Sequence, residues 1–392
     1  MSDRYSRRAF LARSGIIGCS LAASPLLTPV SVAAAPWDTR LVVIILRGAM
    51  DGLDVLRPQG DPTWRSLRPS LSAGTAGLDL DGFFAMHPAL SGLMPLWQAG
   101  ELGFVNAVST PYRDKRSHFD GQDILEAGTR ELAPGVRDGW LNRMLQAVPG
   151  AGVETAYAVG DNDLRLLSGD ARVSNWSPQT DFVLSPQAAR LMAMITEADP
   201  VMHAALEQAD TLARSTRMER GGAERLNGAH RRIAEFVGQR LRGDGRVAGF
   251  SINGWDTHYN QSRIIDGALL RLADAILVLR DTLTAPVWNK TAVIALTEFG
   301  RTARENGSGG TDHGTGGLML MAGGAIRGGR VHGRWPGLDE ADLYERRDLM
   351  PTSDVRAHAG WILRGVTGLD RATLERTVFP GVDMGRDPVL LR

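Results

Sequence analysis

The feature that most constrains the fold is a series of short apolar or β-branched segments separated by helical patterns. Six segments predict strands: LVVIIL at 41–46, LGFVNAV at 102–108, TAYAVG at 155–160, VAGFSI at 247–252, TAVIAL at 291–296 and GLMLMAG at 317–323. Apolar residues recur at helical spacing between several of them, most clearly over residues 262–283. This alternation favours an α/β fold of three αβα layers, in which helices cover both faces of a mostly parallel sheet.

Acidic, histidine or serine residues follow four of these strands at the points where the strands end. They are, in chain order, Asp51, Ser117, His118, Asp256, His258 and Glu298, with Asp312 and His313 after a glycine-rich loop. Because open α/β sheets bind ligands beyond the carboxyl ends of their strands, we expect these residues to share one site. Carboxylate oxygen and imidazole nitrogen suit a divalent ion such as zinc, manganese, calcium or magnesium. Taken singly, a capping serine, a turn aspartate and a surface histidine are each more common than a metal ligand, whereas four such clusters after four strands favour a site.

The segment RSHFDGQDILEAG at 116–128 predicts a helix that begins at or near Ser117 and His118. The start of a helix carries partial positive charge and unpaired amide groups. It therefore favours a bound phosphate and lowers the cost of forming an alkoxide.

The amino terminus reads as an export signal of the twin-arginine type. Residues 6–11 are Ser-Arg-Arg-Ala-Phe-Leu, followed by the apolar run GIIGCSLAASPLLTPVSVAAA. Pro25 and Pro29 interrupt this run, which leaves it short of the ~20 apolar residues of a membrane span. We therefore expect residues 1–35 to engage the twin-arginine export machinery and to be removed. The mature protein would be periplasmic or secreted, without a stable membrane span.

The composition of the expected mature chain excludes some partners. Removal of residues 1–35 takes away four arginines and one aspartate, which leaves 40 basic and 43 acidic residues. This slightly acidic balance predicts no nucleic-acid partner. The only cysteine, Cys19, lies in the signal, so the mature chain has none. We expect residues 36–392 to form one domain, with a helical insertion at about 185–243 where helix formers and charged residues dominate.

Four motifs carry a resemblance to a known family: RGAMDGLD, RSHFDGQDILEAG, GWDTH and TEFGRTARENGSGGTDHG. The chain resembles the alkaline-phosphatase-like superfamily, which includes sulfatases, phosphodiesterases and metal-dependent phosphoglycerate mutases. Within it, the chain is similar to a group of twin-arginine-exported bacterial proteins known only as a domain of unknown function. The resemblance implies an alkaline-phosphatase-like fold over most of the mature chain.

The resemblance also implies a set of roles. Asp51 would be a metal ligand from the first strand, and Ser117 would lie near the nucleophile position. Asp256, His258 and His313 would form one metal site. Glu298 would replace a ligand aspartate. The chain departs from the family's pattern at Phe299, where the family has a histidine, and in the short spacing from Asp256 to His258. Asp312 would either compensate for a lost ligand or orient His313 without itself contacting the metal.

These roles predict a metal-dependent hydrolase of phosphate esters, with a small-molecule or glycan ester as substrate. Ser117 and His118 would take part in catalysis, and Arg301 or Arg116 would neutralise oxygens in the transition state. Sulfate esters are a weaker expectation, because the usual sulfatase nucleophile derives from a cysteine. Two alternatives stay open: a metal- or glycan-binding protein without turnover, and a metal-dependent phosphotransferase or mutase.

Overall fold

The computed structural model describes residues 37–74, 76–113, 115–132, 137–160, 164–178 and 228–392. The predicted export signal and residues 185–227 of the predicted insertion lie outside these ranges. Within them, no helix combines the length and apolar character that a membrane crossing requires.

A nine-stranded sheet forms the centre of the described residues, and a small three-stranded sheet lies apart from it. The strands are β1 Arg40–Arg47, β2 Leu56–Arg57, β3 Leu78–Asp79, β4 Ala85–Met86, β5 Leu102–Ser109, β6 Ala156–Val159, β7 Ser174–Trp176, β8 Val247–Asn253, β9 Thr291–Leu296, β10 Gly317–Ala322, β11 Arg330–His332 and β12 Ser353–Asp354. The large sheet has the order β11-β5-β10-β9-β1-β8-β6-β7, with β12 also beside β5. All its pairs are parallel except those of β10, which runs antiparallel to both β9 and β5. The predicted mostly parallel sheet is confirmed.

Helices connect and cover these strands. The α-helices are α1 Gly52–Val55, α2 Pro62–Leu67, α3 Met94–Gln98, α4 His118–Ala127, α5 Trp140–Ala147, α6 Ala229–Arg242, α7 Gln261–Trp288, α8 Val355–Thr367 and α9 Arg371–Thr373. The helix predicted over residues 262–283 is therefore present as α7, in which Thr284 has non-helical backbone angles and separates off a short helical segment that ends at Trp288.

The central strand β1 shows why the fold has three layers. The odd-numbered side chains from Leu41 to Ile45 pack with apolar residues of α5 and α8, and the even-numbered ones from Val42 to Leu46 pack with α6 and α7. All six side chains are fully buried. Burial of an aliphatic side chain contributes about 1.5–3 kcal/mol. Each face of the sheet is thus stable only under a layer of helices, which confirms the predicted three-layer arrangement.

Helix α6 falls at the end of the range predicted as a helical insertion. Its buried residues Ile233, Val237 and Leu241 belong to the same apolar cluster as α7 and the sheet. This part of the range is an integral part of the helical layer on the sheet.

The strand directions bring the predicted site residues to one edge of the sheet. Strands β1, β5, β8 and β9 run in the same direction, so their carboxyl ends lie at the same edge, and the antiparallel β10 begins there. Asp256 and His258 follow β8, Glu298 follows β9, His118 lies in the segment after β5, and His313 precedes β10. The loops that carry these side chains therefore converge.

Candidate metal centre

Three imidazoles converge on one carboxylate oxygen at this edge. Asp256 Oδ1 lies 3.1 Å from His258 Nε2, 3.4 Å from His313 Nε2 and 3.5 Å from His118 Nε2. The Nε2 atoms of His258 and His313 are 2.9 Å apart. A four-coordinate zinc ion with bonds of about 2.0–2.1 Å holds neighbouring ligand atoms about 3.3 Å apart. The separations are those of atoms that can share one ion.

The most compact part of this cluster consists of His118, Asp256 and His313, whose ligand atoms all lie within 4.8 Å of one another. His258 joins them through its contacts with Asp256 and His313. The side chains of Asp256 and His258 are 48% and 40% exposed, so the centre is open to solvent on one side.

The second nitrogen of each ring has an oxygen partner that fixes the ring's orientation. The three pairs are His118 Nδ1 with Glu298 Oε1 at 2.8 Å, His258 Nδ1 with Asp312 Oδ1 at 3.2 Å, and His313 Nδ1 with the Arg116 carbonyl at 2.8 Å. Because a carboxylate or a carbonyl can only accept, each Nδ1 must donate its proton. In the neutral rings, all three Nε2 lone pairs are then free to face a cation.

The geometry of the Nε2 atoms is unfavourable without a positive charge between them. Among the described residues, His118 Nε2 is one of the buried side-chain nitrogens that make no hydrogen bond. Buried polar atoms are nearly always paired, and an ion is one of the partners that satisfy them. Two neutral Nε2 lone pairs 2.9 Å apart, on His258 and His313, would repel each other unless a proton or a metal ion lies between them.

Glu298 supports the centre from behind His118. Its buried carboxylate accepts hydrogen bonds from the Gly48 amide at 2.9 Å, Gln122 Nε2 at 3.1 Å and Thr297 Oγ1 at 3.0 Å, besides that of His118. Burial raises the pKa of Glu298, but the hydrogen bonds, with that of His118 foremost, outweigh it and hold the pKa below its usual value. The same hydrogen bond raises the pKa of His118. Glu298, predicted as a ligand, thus contacts the far side of a ligand ring.

Arg301 holds Asp256 in place. Its guanidinium donates to Asp256 Oδ1 at 2.5 Å and to four backbone carbonyls, those of Gly48, Ala49, Trp255 and Thr311. Burial raises the pKa of Asp256, but the hydrogen bond and charge of Arg301 outweigh it, so the pKa is lowered. Arg301 is almost completely buried and its donors are engaged. Its position suits orientation of Asp256 better than the predicted contact with substrate.

The structure does not bring Asp51 into the cluster. Asp51 is buried, and its Oδ2 accepts from Arg68 Nη1 at 2.7 Å and Gln261 Nε2 at 2.6 Å, while Oδ1 caps α1 at the Leu53 amide. Burial raises the pKa of Asp51, but the charge and hydrogen bond of Arg68 outweigh it and lower the pKa. The guanidinium of Arg68 therefore pairs with Asp51, for which the resemblance implied a metal ion as the partner.

Ser117 and Phe299 flank His118. Ser117 is half-buried and is the N-cap of α4, with its Oγ accepting weakly from the Asp120 amide at 3.5 Å. Its role as a nucleophile stays a prediction. The Phe299 ring stacks on the His118 ring at 5.2 Å between centroids and also stacks on Tyr112. At the position where the resemblance implied a histidine, Phe299 thus supplies an apolar surface for a ligand ring.

Two supporting residues were missed in the sequence. Gln122 lies four residues after His118 on α4, a spacing that places both on one face of a helix and would have identified it. Asn306 lies in the glycine-rich loop, where no periodicity indicates its role. It donates to Asp312 Oδ1 at 3.1 Å and to the His258 carbonyl at 2.9 Å, and its hydrogen bond is the main cause that lowers the pKa of Asp312.

Solved structures with a similar arrangement include three bacterial proteins. The lipoteichoic acid synthase LtaP from Listeria monocytogenes is 8% identical over 70% of this chain and 59% of its own, with a TM-score of 0.35. A protein in the alkaline phosphatase superfamily from Vibrio parahaemolyticus is 11% identical over 74% of this chain and 61% of its own, with a TM-score of 0.35. The lipooligosaccharide phosphoethanolamine transferase A (EptA) from Neisseria meningitidis is 11% identical over 92% of this chain and 62% of its own, with a TM-score of 0.41.

The chain spans about three fifths of the length of these structures. No curated protein matches the chain significantly. A family profile described as protein of unknown function (DUF1501) matches residues 107–360, a range that contains every residue of the cluster around Asp256. The chain belongs to this DUF1501 family.

Proposed function

We propose that the protein is an exported, metal-dependent hydrolase of phosphate esters. We infer the metal site from the convergence of the Nε2 atoms of His118, His258 and His313 on Asp256 Oδ1. The Nδ1 atom of each ring is held by an oxygen acceptor. Three imidazoles and one carboxylate favour zinc, because calcium and magnesium prefer sites made of oxygen atoms.

The exposure of the centre supports a catalytic role. Structural zinc sites are closed, whereas catalytic sites keep one position open for water or substrate. Asp256 and His258 are both partly exposed, so an ester can approach from their side. A metal ion bound there would polarise an ester oxygen and lower the pKa of a water molecule.

The surroundings of His118 favour a phosphate group. Helix α4 begins at His118, and the start of a ten-residue helix attracts anions through its amides and its dipole. The side chain of Arg116 is one third exposed beside this helix start, while its carbonyl orients His313. Arg116 is therefore better placed than Arg301 to contact the oxygens of a bound ester.

Ser117 is the proposed nucleophile. Its Oγ would lose its proton to solvent water and form a bond to phosphorus as the bond from phosphorus to the ester oxygen breaks. The leaving oxygen would take a proton from water, and another water molecule would later release phosphate from the serine. The weak contact of Oγ with the Asp120 amide leaves the hydroxyl free to donate its proton. We expect Ser117→Ala to lower kcat at least 100-fold without loss of the metal. An unchanged kcat would exclude Ser117 and point to direct attack by water.

The proposal as a whole is tested by turnover of β-glycerol phosphate with protein loaded with one equivalent of zinc. We expect release of phosphate that stops on addition of a chelator and returns with zinc. The matched control is His230→Gln, which changes a histidine that pairs with Asp274 outside the cluster and should keep full activity. Absence of phosphate-ester turnover in well-folded, zinc-loaded protein would contradict the proposal.

One observation favours a second candidate, a metal-binding protein without turnover. Phe299 takes the position of a histidine and presents only an apolar ring to His118. In this case the protein would bind zinc tightly and hydrolyse none of the esters. The turnover measurement therefore separates the two candidates.

A further inference from the structure

A cavity of about 480 Å³ lies beside the metal centre. Its wall includes Asp312, which orients His258, and Asn306, which holds Asp312. Small-molecule sites commonly have volumes of about 300–1,000 Å³. The cavity is thus large enough for an organic group, and it shares a wall with the reaction centre.

The charged side chains in the cavity wall nearly cancel, with a slight excess of negative charge. Three arginines, Arg304, Arg346 and Arg347, face four acids, Glu305, Asp312, Asp339 and Glu340. Several of these acids already have partners: Glu305 accepts from the amides of Ser70 and Leu71, Asp339 accepts from the Thr63 hydroxyl, and Glu340 pairs with Arg346. This balance gives no net attraction for a second anionic group.

The remaining wall combines polar edges with one apolar side. Thr63 and Ser66 contribute hydroxyls, while Leu67, Leu338 and Leu343 belong to a buried apolar cluster below them. An acyl chain would remove water from the charged and hydroxyl groups of the wall without offering hydrogen bonds in its place. A ring with hydroxyl groups at its edge and C–H groups on its face satisfies both kinds of surface.

We propose that this cavity binds the alcohol part of the ester, and that this part is a sugar or a similarly polyhydroxylated ring. The inference rests on the proposed phosphate-ester hydrolysis and names its substrate class. Asp312 and Asn306 would then contribute to both the metal centre and the cavity, because they orient the ligand histidine His258 and border the bound ring.

The test fills the cavity and compares two classes of substrate. Ser66 is exposed and lies in the cavity wall, so Ser66→Trp narrows the cavity without disturbing the core. Ser91→Trp is the matched control, because Ser91 is exposed and lies outside the cavity. The quantity compared is kcat/KM for hexose 1-phosphates (glucose, galactose and N-acetylglucosamine) relative to that for β-glycerol phosphate, in zinc-loaded protein.

We expect the wild-type protein to prefer at least one hexose 1-phosphate by tenfold or more. Ser66→Trp should reduce that preference towards one, whereas Ser91→Trp should retain it. Equal preference in all three proteins, or no preference for any sugar ester in the wild type, would overturn the inference.

Calorimetry separates this inference from the proposed function. If the wild type hydrolyses none of these esters, the proposed function fails and the cavity is tested by binding of the same hexose 1-phosphates. Binding that Ser66→Trp weakens at least tenfold and Ser91→Trp preserves would support the cavity as a sugar site. Binding that is absent, or equal in both variants, would refute it.

Discussion

Replacement of Glu298 by glutamine tests how strongly the carboxylate that accepts from His118 Nδ1 determines the metal affinity of the centre. Glutamine can keep an oxygen near His118, Gln122 and the Gly48 amide and place its NH₂ group near Thr297 Oγ1, so the hydrogen bonds have matching partners. The change removes the negative charge that makes His118 more basic. Loss of such a supporting partner costs about 10–100-fold in metal affinity, or about 1.4–2.7 kcal/mol.

The assay is a zinc titration against a competing chelator at about pH 8.5, where proton competition at histidine is small. We expect the zinc Kd of Glu298→Gln to rise by this factor while the fold is retained. Glu101→Gln is the control, because Glu101 accepts from Trp288 Nε1 at the opposite end of β5. A Kd within twofold of wild type in Glu298→Gln would refute the role assigned to this carboxylate.

Three further predictions concern stability and export. Arg68→Met should lower the free energy of unfolding by about 3–5 kcal/mol in urea denaturation, because it leaves a buried carboxylate unpaired. Arg65→Met, at an exposed position of α2, should change this free energy little. Similar values for the two variants would contradict the ion-pair argument. Burial lowers the pKa of His358 to about 4. The unfolded chain therefore binds a proton at His358 more tightly than the folded protein does. The free energy of unfolding should fall by about 3 kcal/mol as the pH is lowered from 6.5 to 4. His358→Gln should remove that part of the pH dependence, and an unchanged pH profile would show that the group titrates normally. Arg7→Lys combined with Arg8→Lys should retain the protein in the cytoplasm in cell fractionation, and continued export would exclude the twin-arginine route.

Much of the fold could be predicted from the sequence because the strands are strongly apolar. Fully buried strands such as β1 and β9 read as continuous apolar runs, and the heptad-like spacing in α7 continues over many turns. The antiparallel direction of β10 could not be read in this way. Its residues are as apolar as those of a parallel strand, and only its pairing with β9 and β5 sets its direction.

The site was predicted as a set of residues but not as a geometry. The residues after strand ends do meet, since strand direction alone brings Asp256, His258 and His313 to one edge. Which carboxylate faces the cluster depends on partners far away in the sequence. Arg68, which follows α2, donates to Asp51 at the start of α1, and no local pattern indicates this contact.

Elemental analysis of the purified, exported protein tests the central claim most directly. The comparison is between wild type, Asp256→Ala, His313→Ala and the control His230→Gln, each confirmed as folded by circular dichroism. We predict about one equivalent of zinc in wild type and in His230→Gln, and its loss in the two cluster variants. Folded wild-type protein without metal after incubation with zinc, or zinc retained in both cluster variants, would contradict a metal centre at Asp256.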